Sequence, residues 1–393
     1  MGSHSRVHYM DNLRAFAMLL GIFFHAVLAY SPLLHYLWPV ADSENSAVVD
    51  MLAFFSHTFR MPLFFIIAGF FTALLIQKRG LAAMVKNRLM RITLPFSIFL
   101  PLVMTSFVVI FGWAINDVEN KSPMLAMISM TAQMPQPPEQ PITTSHLWFL
   151  YNLTFFYVVT TVLVKFVRID WMAKVQAFPK IFLIAAPLLL VPAYMTQHLP
   201  LPAPEQFTPQ LWSFGSYGLF FMLGYGLFKY ENFLDKLTPY WGWMLIAGVT
   251  AYGVFYQQLP ATINMQDMMV NIATAPDFDL NQAFLAALQA YTGVYISLVL
   301  LVLGRKFFNQ QNAAVKIIAD SSYWIYIIHL PVLWTIQFAL LDTQLPLIVE
   351  FLISSIGTLI IGFISYLLLV KYTPIGWLLN GKISKPTAQT AEA

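Results

Sequence analysis

The chain's apolar residues are gathered into ten runs, each long enough to cross a bilayer as a helix, which takes about 20 residues. They lie near 13–33, 51–76, 92–113, 146–167, 180–198, 211–229, 240–257, 281–303, 317–340 and 346–371. Lipid offers no water to bond backbone N–H and C=O groups, so such runs must satisfy them internally, as helices do. The expected fold is all-α: a polytopic transmembrane helix bundle of about ten spans. Composition agrees, because only 10% of the 393 residues are charged, against about 25% in soluble domains. One transmembrane domain over 1–375 accounts for the chain, with 376–393 expected as a polar, disordered cytoplasmic tail. Pro95, Pro101, Pro187, Pro192 and Pro331 fall inside runs and predict kinks. The first run lacks a cleavage site after a short apolar core and is expected to stay as a helix.

Lys and Arg set the orientation. Loop 34–50 carries Asp42, Glu44 and Asp50 with no Lys or Arg, and loop 114–145 has only Lys121. Loops 199–210, 258–280 and 341–345 have neither. The alternate connections are basic: Lys78, Arg79, Lys86, Arg88 and Arg91; then Arg168, Lys174 and Lys180; Lys229 and Lys236; Arg305, Lys306 and Lys316. Both ends are basic as well, through Arg6, Arg14, Lys371, Lys382 and Lys385. Both termini are therefore expected to be cytoplasmic. The net charge of +3 says little about partners, and no nucleic-acid partner is expected. Oligomeric state is not legible.

Ionisable groups inside lipid are expensive and tend to mark function. Arg14 and His25 are eleven helical steps apart, which returns nearly to the same face about 16 Å deeper. His57 and Arg60 share a face at i, i+3. His146 opens the fourth span. In the ninth, Ser322, Tyr326 and His329 form one stripe at i, i+4 and i+7. With the orientation above, His25, His57, His146, His329 and Arg60 converge on the outer half of the membrane. Asp50, seven residues before His57, stands where it can orient an imidazole from the external rim.

A neutral imidazole suits proton abstraction from a hydroxyl. A metal site fits less well, since the histidines lack short ligand spacing, and none is expected. Cysteine is absent, which removes thiol nucleophiles and Cys-bound metal together. On the cytoplasmic side Arg88 and Arg91 share a face three residues apart, and Arg suits bidentate phosphate contact. With Arg14 they can hold a polyphosphate ligand whose tail reaches toward His25. Ordinary positive-inside charge would give the same pattern.

These residues resemble the acyltransferase 3 family of integral membrane acyltransferases. Asp11-Asn12-Leu13-Arg14 through Phe24-His25 resembles its signature, and Arg88-Leu89-Met90-Arg91 its Arg-x-x-Arg motif. His57 to Phe70 resembles its second-helix motif, in the variant of the branch containing glucans biosynthesis protein C. His146-Leu147-Trp148-Phe149-Leu150 and Ser322 to His329 resemble later motifs. One departure is Ala68, where many members have Ser before the Gly, so a Ser nucleophile there is excluded.

The resemblance implies transfer of an acyl group from cytoplasmic acyl-CoA, such as acetyl-CoA or succinyl-CoA, to an extracytoplasmic carbohydrate hydroxyl. His25 would be the base or a transient acyl carrier, with His57 and His329 beside it. Arg60 would stabilise the oxyanion. Arg14, Arg88 and Arg91 would bind the CoA end, and His146, Trp148 and Tyr326 would lie on the substrate side. A narrower alternative is a succinyltransferase acting on periplasmic glucans. A rival of another class is a proton-coupled transporter whose histidines relay protons. A structural or assembly membrane protein is the third.

Overall fold

The computed structural model describes residues 8–136, 142–166, 171–310 and 313–381. Arg6, Arg168, Lys382, Lys385, most of the Pro-rich run 134–141 and the end of the chain from 382 lie outside them. The principal helices are α1 (His8–Val27), α2 (Ala47–Arg79), α3 (Leu81–Arg88), α4 (Leu94–Asp117), α5 (Trp148–Phe166), α6 (Pro179–Leu188), α7 (Tyr217–Lys229), α8 (Trp241–Gln257), α9 (Leu280–Phe307), α10 (Ala313–Leu340), α11 (Leu347–Ser365) and α12 (Pro374–Asn380). No strand occurs among the described residues.

Among the described residues, eight helical segments are long and apolar enough to cross a membrane, from His8–Tyr30 to Leu347–Val370. They coincide with eight of the ten expected spans. The other two are shorter. Around 180–198 the chain forms α6 and the single turn Val191–Tyr194. The prolines at 187 and 192 interrupt the backbone ladder there, because each lacks an N–H. Around 240–257 the helix α8 has 17 residues. The stretch read as the start of a polar tail carries α12, with Leu379 buried.

Two large apolar cores, with two smaller clusters beside them, fill the described part of the bundle. One joins α2, α5, α7 and α9 through side chains such as Phe65, Phe156, Phe221 and Leu298. The other joins α4, α10 and α11 through Phe107, Leu333, Phe338 and Tyr366. Outward faces are also apolar: Val108 and Val109 of α4 and Ile360 and Leu368 near the end of α11 are exposed, as lipid contact requires. The α2–α7 crossing depends on two glycines. A Cβ on Gly69 would stand 1.9 Å from the Phe221 carbonyl oxygen, and one on Gly224 would stand 1.8 Å from that of Ile66. Small residues let membrane helices approach this closely. The α1 helix packs against α2, α9, α10 and α11. It therefore lies at the seam between the cores, and its His25 faces α10.

Candidate functional site

Prolines create the backbone acceptors on which this site is built. Pro331 has no N–H, so in α10 the carbonyl four residues earlier, Ile327, lacks its helical donor. That oxygen accepts instead from His146 Nε2 at 3.0 Å. Pro95 likewise frees the carbonyl of Arg91, which accepts from the Tyr323 hydroxyl at 2.9 Å. The helix at Arg91 widens into a π-turn, Leu89–Thr93, a local form that frequently occurs at functional sites.

His25 and His329 meet at the seam. Their rings are 5.0 Å apart and 4° from parallel, with His25 Nδ1 2.8 Å from His329 Nε2. His329 Nδ1 lies 2.7 Å from the Tyr326 carbonyl oxygen. A carbonyl only accepts, so Nδ1 of His329 carries a proton and donates it. In the neutral ring Nε2 is then an acceptor, and His25 Nδ1–H donates to it. The remaining nitrogen, His25 Nε2, holds an unprotonated lone pair. His25 is half-buried while His329 is buried.

His146 packs edge-on against His329, with ring centroids 5.0 Å apart. Since Nε2 of His146 donates to Ile327, its Nδ1 accepts, and the Ser145 hydroxyl lies 3.4 Å from it. The Tyr326 hydroxyl donates to the His146 carbonyl at 2.7 Å, which ties the start of α5 to α10.

Arg60 and His57 both pack on the Phe24 ring. The Phe24 ring stacks on His57 at 5.0 Å, and the Arg60 guanidinium lies 4.3 Å from the same ring. Arg60 is 4% exposed, and its Nη1 has no hydrogen-bond partner among the described residues. The same is true of His57 Nδ1. A buried guanidinium without a carboxylate partner is costly, and it creates a strong local preference for an anion. Trp148 is buried against Phe65 and Tyr217. Asp50 does not serve an imidazole. Its carboxylate accepts from the Ser31 and Tyr256 hydroxyls, because two turns of α2 carry His57 away from the rim while Asp50 stays beside the 31–34 turn. No group of three His, Asp or Glu side chains among the described residues is arranged to hold a metal ion.

A cavity of about 580 Å³ opens at the other end of these helices. Arg14, Lys78, Arg79, Arg88, Arg91, Lys316 and Lys371 line it, with Asp11 and Asp320 as its acidic members. Its inner wall is apolar and aromatic and ends at Phe64, Ala68, Phe149 and Tyr326. Tyr326 is one turn from His329, and their rings are 6.0 Å apart. The cavity therefore stops one ring short of the histidine cluster, behind Phe149 and Tyr326, whose centroids are 6.4 Å apart.

Arg14, Arg88 and Arg91 all line this cavity. Arg14 pairs with Asp11 at 3.4 Å, Arg91 donates to the Asn380 carbonyl at 2.9 Å, and Arg88 lies over the Tyr157 ring at 5.3 Å. The sequence reading took Lys78, Arg79, Lys316 and Lys371 as topology charges alone. Their common place on the rim comes from three different helix ends. Phe24 falls within the signature-like stretch, but its sequence position gives no sign that it packs against His57 and Arg60.

The family model described as an acyltransferase domain matches residues 7–367. The chain belongs to the acyltransferase 3 family. It is 24% identical over 413 residues to glucans biosynthesis protein C of Salmonella schwarzengrund (strain CVM19633), covering 99% of this chain and 97% of that one. It is 26% identical over 348 residues to glucans biosynthesis protein C of Escherichia coli (strain K12), covering 83% and 82%. No solved structure matches it. The branch resemblance carried by residues 57–70 thus extends along the chain. This acyltransferase 3 member is an enzyme, a multi-pass membrane acyltransferase, and the transporter and assembly readings fall away.

Proposed function

We propose that this acyltransferase moves an acyl group from cytoplasmic acyl-CoA to a hydroxyl of an extracytoplasmic glycan, with His25 as the base. The observation that carries the reading is the hydrogen-bond chain from His25 through His329 to the Tyr326 carbonyl, which leaves the lone pair on His25 Nε2. The basic cavity supports the donor side. Its cations suit the phosphates of CoA, and its narrow apolar end suits the pantetheine arm and thioester. In this arrangement the basic end and both termini face the cytoplasm of a bacterial inner membrane.

The step balances without an added co-reactant. The acceptor oxygen attacks the thioester carbon as His25 Nε2 takes the hydroxyl proton. Negative charge gathers on the carbonyl oxygen, where the buried Arg60 guanidinium stabilises it. The C–S bond then breaks, and the proton on His25 passes to the departing sulfur, giving an ester and free CoA thiol. The acyl group has to pass Phe149 and Tyr326, so these rings turn aside when the donor binds.

A second reading is favoured by Arg60. A buried cation without a carboxylate partner also suits an acyl group with a distal carboxylate, such as succinyl. The two readings separate by experiment. In purified enzyme, His25→Ala is expected to lower transfer from acetyl-CoA and succinyl-CoA to gluco-oligosaccharides by roughly 10²-fold or more, with normal membrane insertion. Retained transfer removes His25 from the chemistry. Arg60→Met is expected to slow both donors alike if Arg60 meets the oxyanion, and succinyl-CoA selectively if it meets a distal carboxylate.

A further inference from the structure

Three polar atoms beside His25 are buried and have no hydrogen-bond partner among the described residues: Trp38 Nε1, Trp334 Nε1 and Gln337 Oε1. Buried polar groups in folded proteins are nearly always paired, so three orphans in one place call for a missing partner. They belong to one cluster. The Trp38 and Trp334 rings are 5.7 Å apart and 75° inclined. Trp38 faces the His25 ring at 6.1 Å and 28°. Gln337 is three residues after Trp334 on the same face of α10, and its Nε2 donates to the carbonyl of Ala26, the neighbour of His25, at 2.9 Å. Trp334 is 8% and Gln337 3% exposed.

The direction of approach is given by α10. The basic cavity touches this helix at Lys316, Ala319, Asp320, Ser322, Tyr323 and Tyr326. Trp334 and Gln337 lie beyond His329, toward the opposite end. A molecule that meets them reaches His25 from the side away from the donor cavity.

The unmet chemistry is two N–H donors and one amide oxygen beside the half-buried Trp38 ring; the Trp334 ring is already packed by Phe107 and Phe111. Acyl chains leave all three polar atoms unpaired, and a phosphate finds donors but no cation among these three residues. A sugar ring satisfies the set, because each hydroxyl both donates and accepts, and its C–H face packs on an aromatic ring. We infer that Trp38, Trp334 and Gln337 form the acceptor subsite, which holds a pyranose ring with one hydroxyl at His25 Nε2. The inference rests on the acyl-transfer reading for its purpose and on the orphaned atoms for its location.

The test uses full-length enzyme in detergent and a gluco-oligosaccharide series as probe, and reads binding without acyl-CoA and KM in its presence. Trp38→Phe with Trp334→Phe keeps the rings and removes both N–H donors. The expected result is a tenfold or greater loss of oligosaccharide binding and a matching rise in its KM. The KM for acyl-CoA should stay within twofold. Gln337→Leu supplies a second variant should the double one unfold, and is expected to weaken oligosaccharide binding by a comparable factor while the KM for acyl-CoA stays unchanged. Unchanged oligosaccharide binding in these variants overturns the subsite, as does a parallel shift of both KM values. Wild-type enzyme that binds the sugar through these residues without acylating it overturns the transfer reading and leaves the subsite standing. Wild-type enzyme that acylates another acceptor but binds no oligosaccharide does the reverse.

Discussion

Pro331 sets the hydrogen bond of His146. The proline removes the N–H that would otherwise occupy the Ile327 carbonyl, and His146 Nε2 donates to that carbonyl at 3.0 Å. Pro331→Ala restores the N–H, and the helix reclaims its own acceptor. The variant is expected to be at least as resistant to thermal unfolding as the wild type, because α10 regains a bond. Its kcat should nevertheless fall, roughly 10–100-fold, since small displacements in a positioned site are costly. An unchanged kcat in a correctly folded variant would mean that the orientation of His146 does not matter to turnover.

His329 acts on His25 by accepting its Nδ1–H. In His329→Leu that acceptor is gone, and the proton on His25 is free to move to Nε2, where it blocks base function. We expect kcat to fall by roughly 10²-fold or more, with KM for acyl-CoA nearly unchanged. His329→Gln offers an amide oxygen at a similar reach and should recover part of the loss. Equal rates for the Leu and Gln variants would assign His329 to packing and leave the state of His25 to other groups.

Depth along a helix was legible in the sequence, but neighbourhood was not. The spacing of Arg14 from His25, and the stripe Ser322, Tyr326 and His329, follow from helical pitch alone. That His25 touches His329, 304 positions away, depends on α1 packing against α10, which no local pattern encodes. The Pro331 signal was visible as a kink, yet its purpose lay in a carbonyl that needed a donor from another element. Asp50 misled for the same reason, since its partners Ser31 and Tyr256 come from a turn and a distant helix. Two expected spans fall short of the others in the structure. Paired prolines broke one, and aromatic and glycine residues made the other less apolar than its length suggested.

Arg88 and Arg91 line the basic cavity from adjacent turns. Arg88→Ala with Arg91→Ala is expected to raise KM for acyl-CoA about 10–100-fold, on the scale of losing two charge-assisted contacts. The wild-type KM should itself rise with ionic strength, because phosphate attraction at an open rim is screened. The double variant should show a flatter salt dependence. Equal acyl-CoA binding in the wild type and the double variant would leave these arginines with orientation as their only task.

Glu205 lies in the loop whose backbone holds the approach to His146: its carbonyl accepts from the Thr144 N–H and hydroxyl, both at 2.8 Å. Burial pushes its carboxyl up to about 7, above the ordinary value of about 4.3. Below both values the carboxyl is protonated in the folded and unfolded states alike and has no effect. As pH rises between them, the unfolded chain ionises first, so the folded state loses stability through this window and stays at a fixed deficit above about 7. Glu205→Gln keeps the backbone bonds and removes the ionisation. Its gain over wild type should therefore be absent near pH 4, grow to about 1 kcal/mol by neutral pH once partial exposure is allowed for, and then level off. Thermal unfolding in detergent at several pH values checks this. A constant difference across the series would show that Glu205 remains ionised in the folded protein.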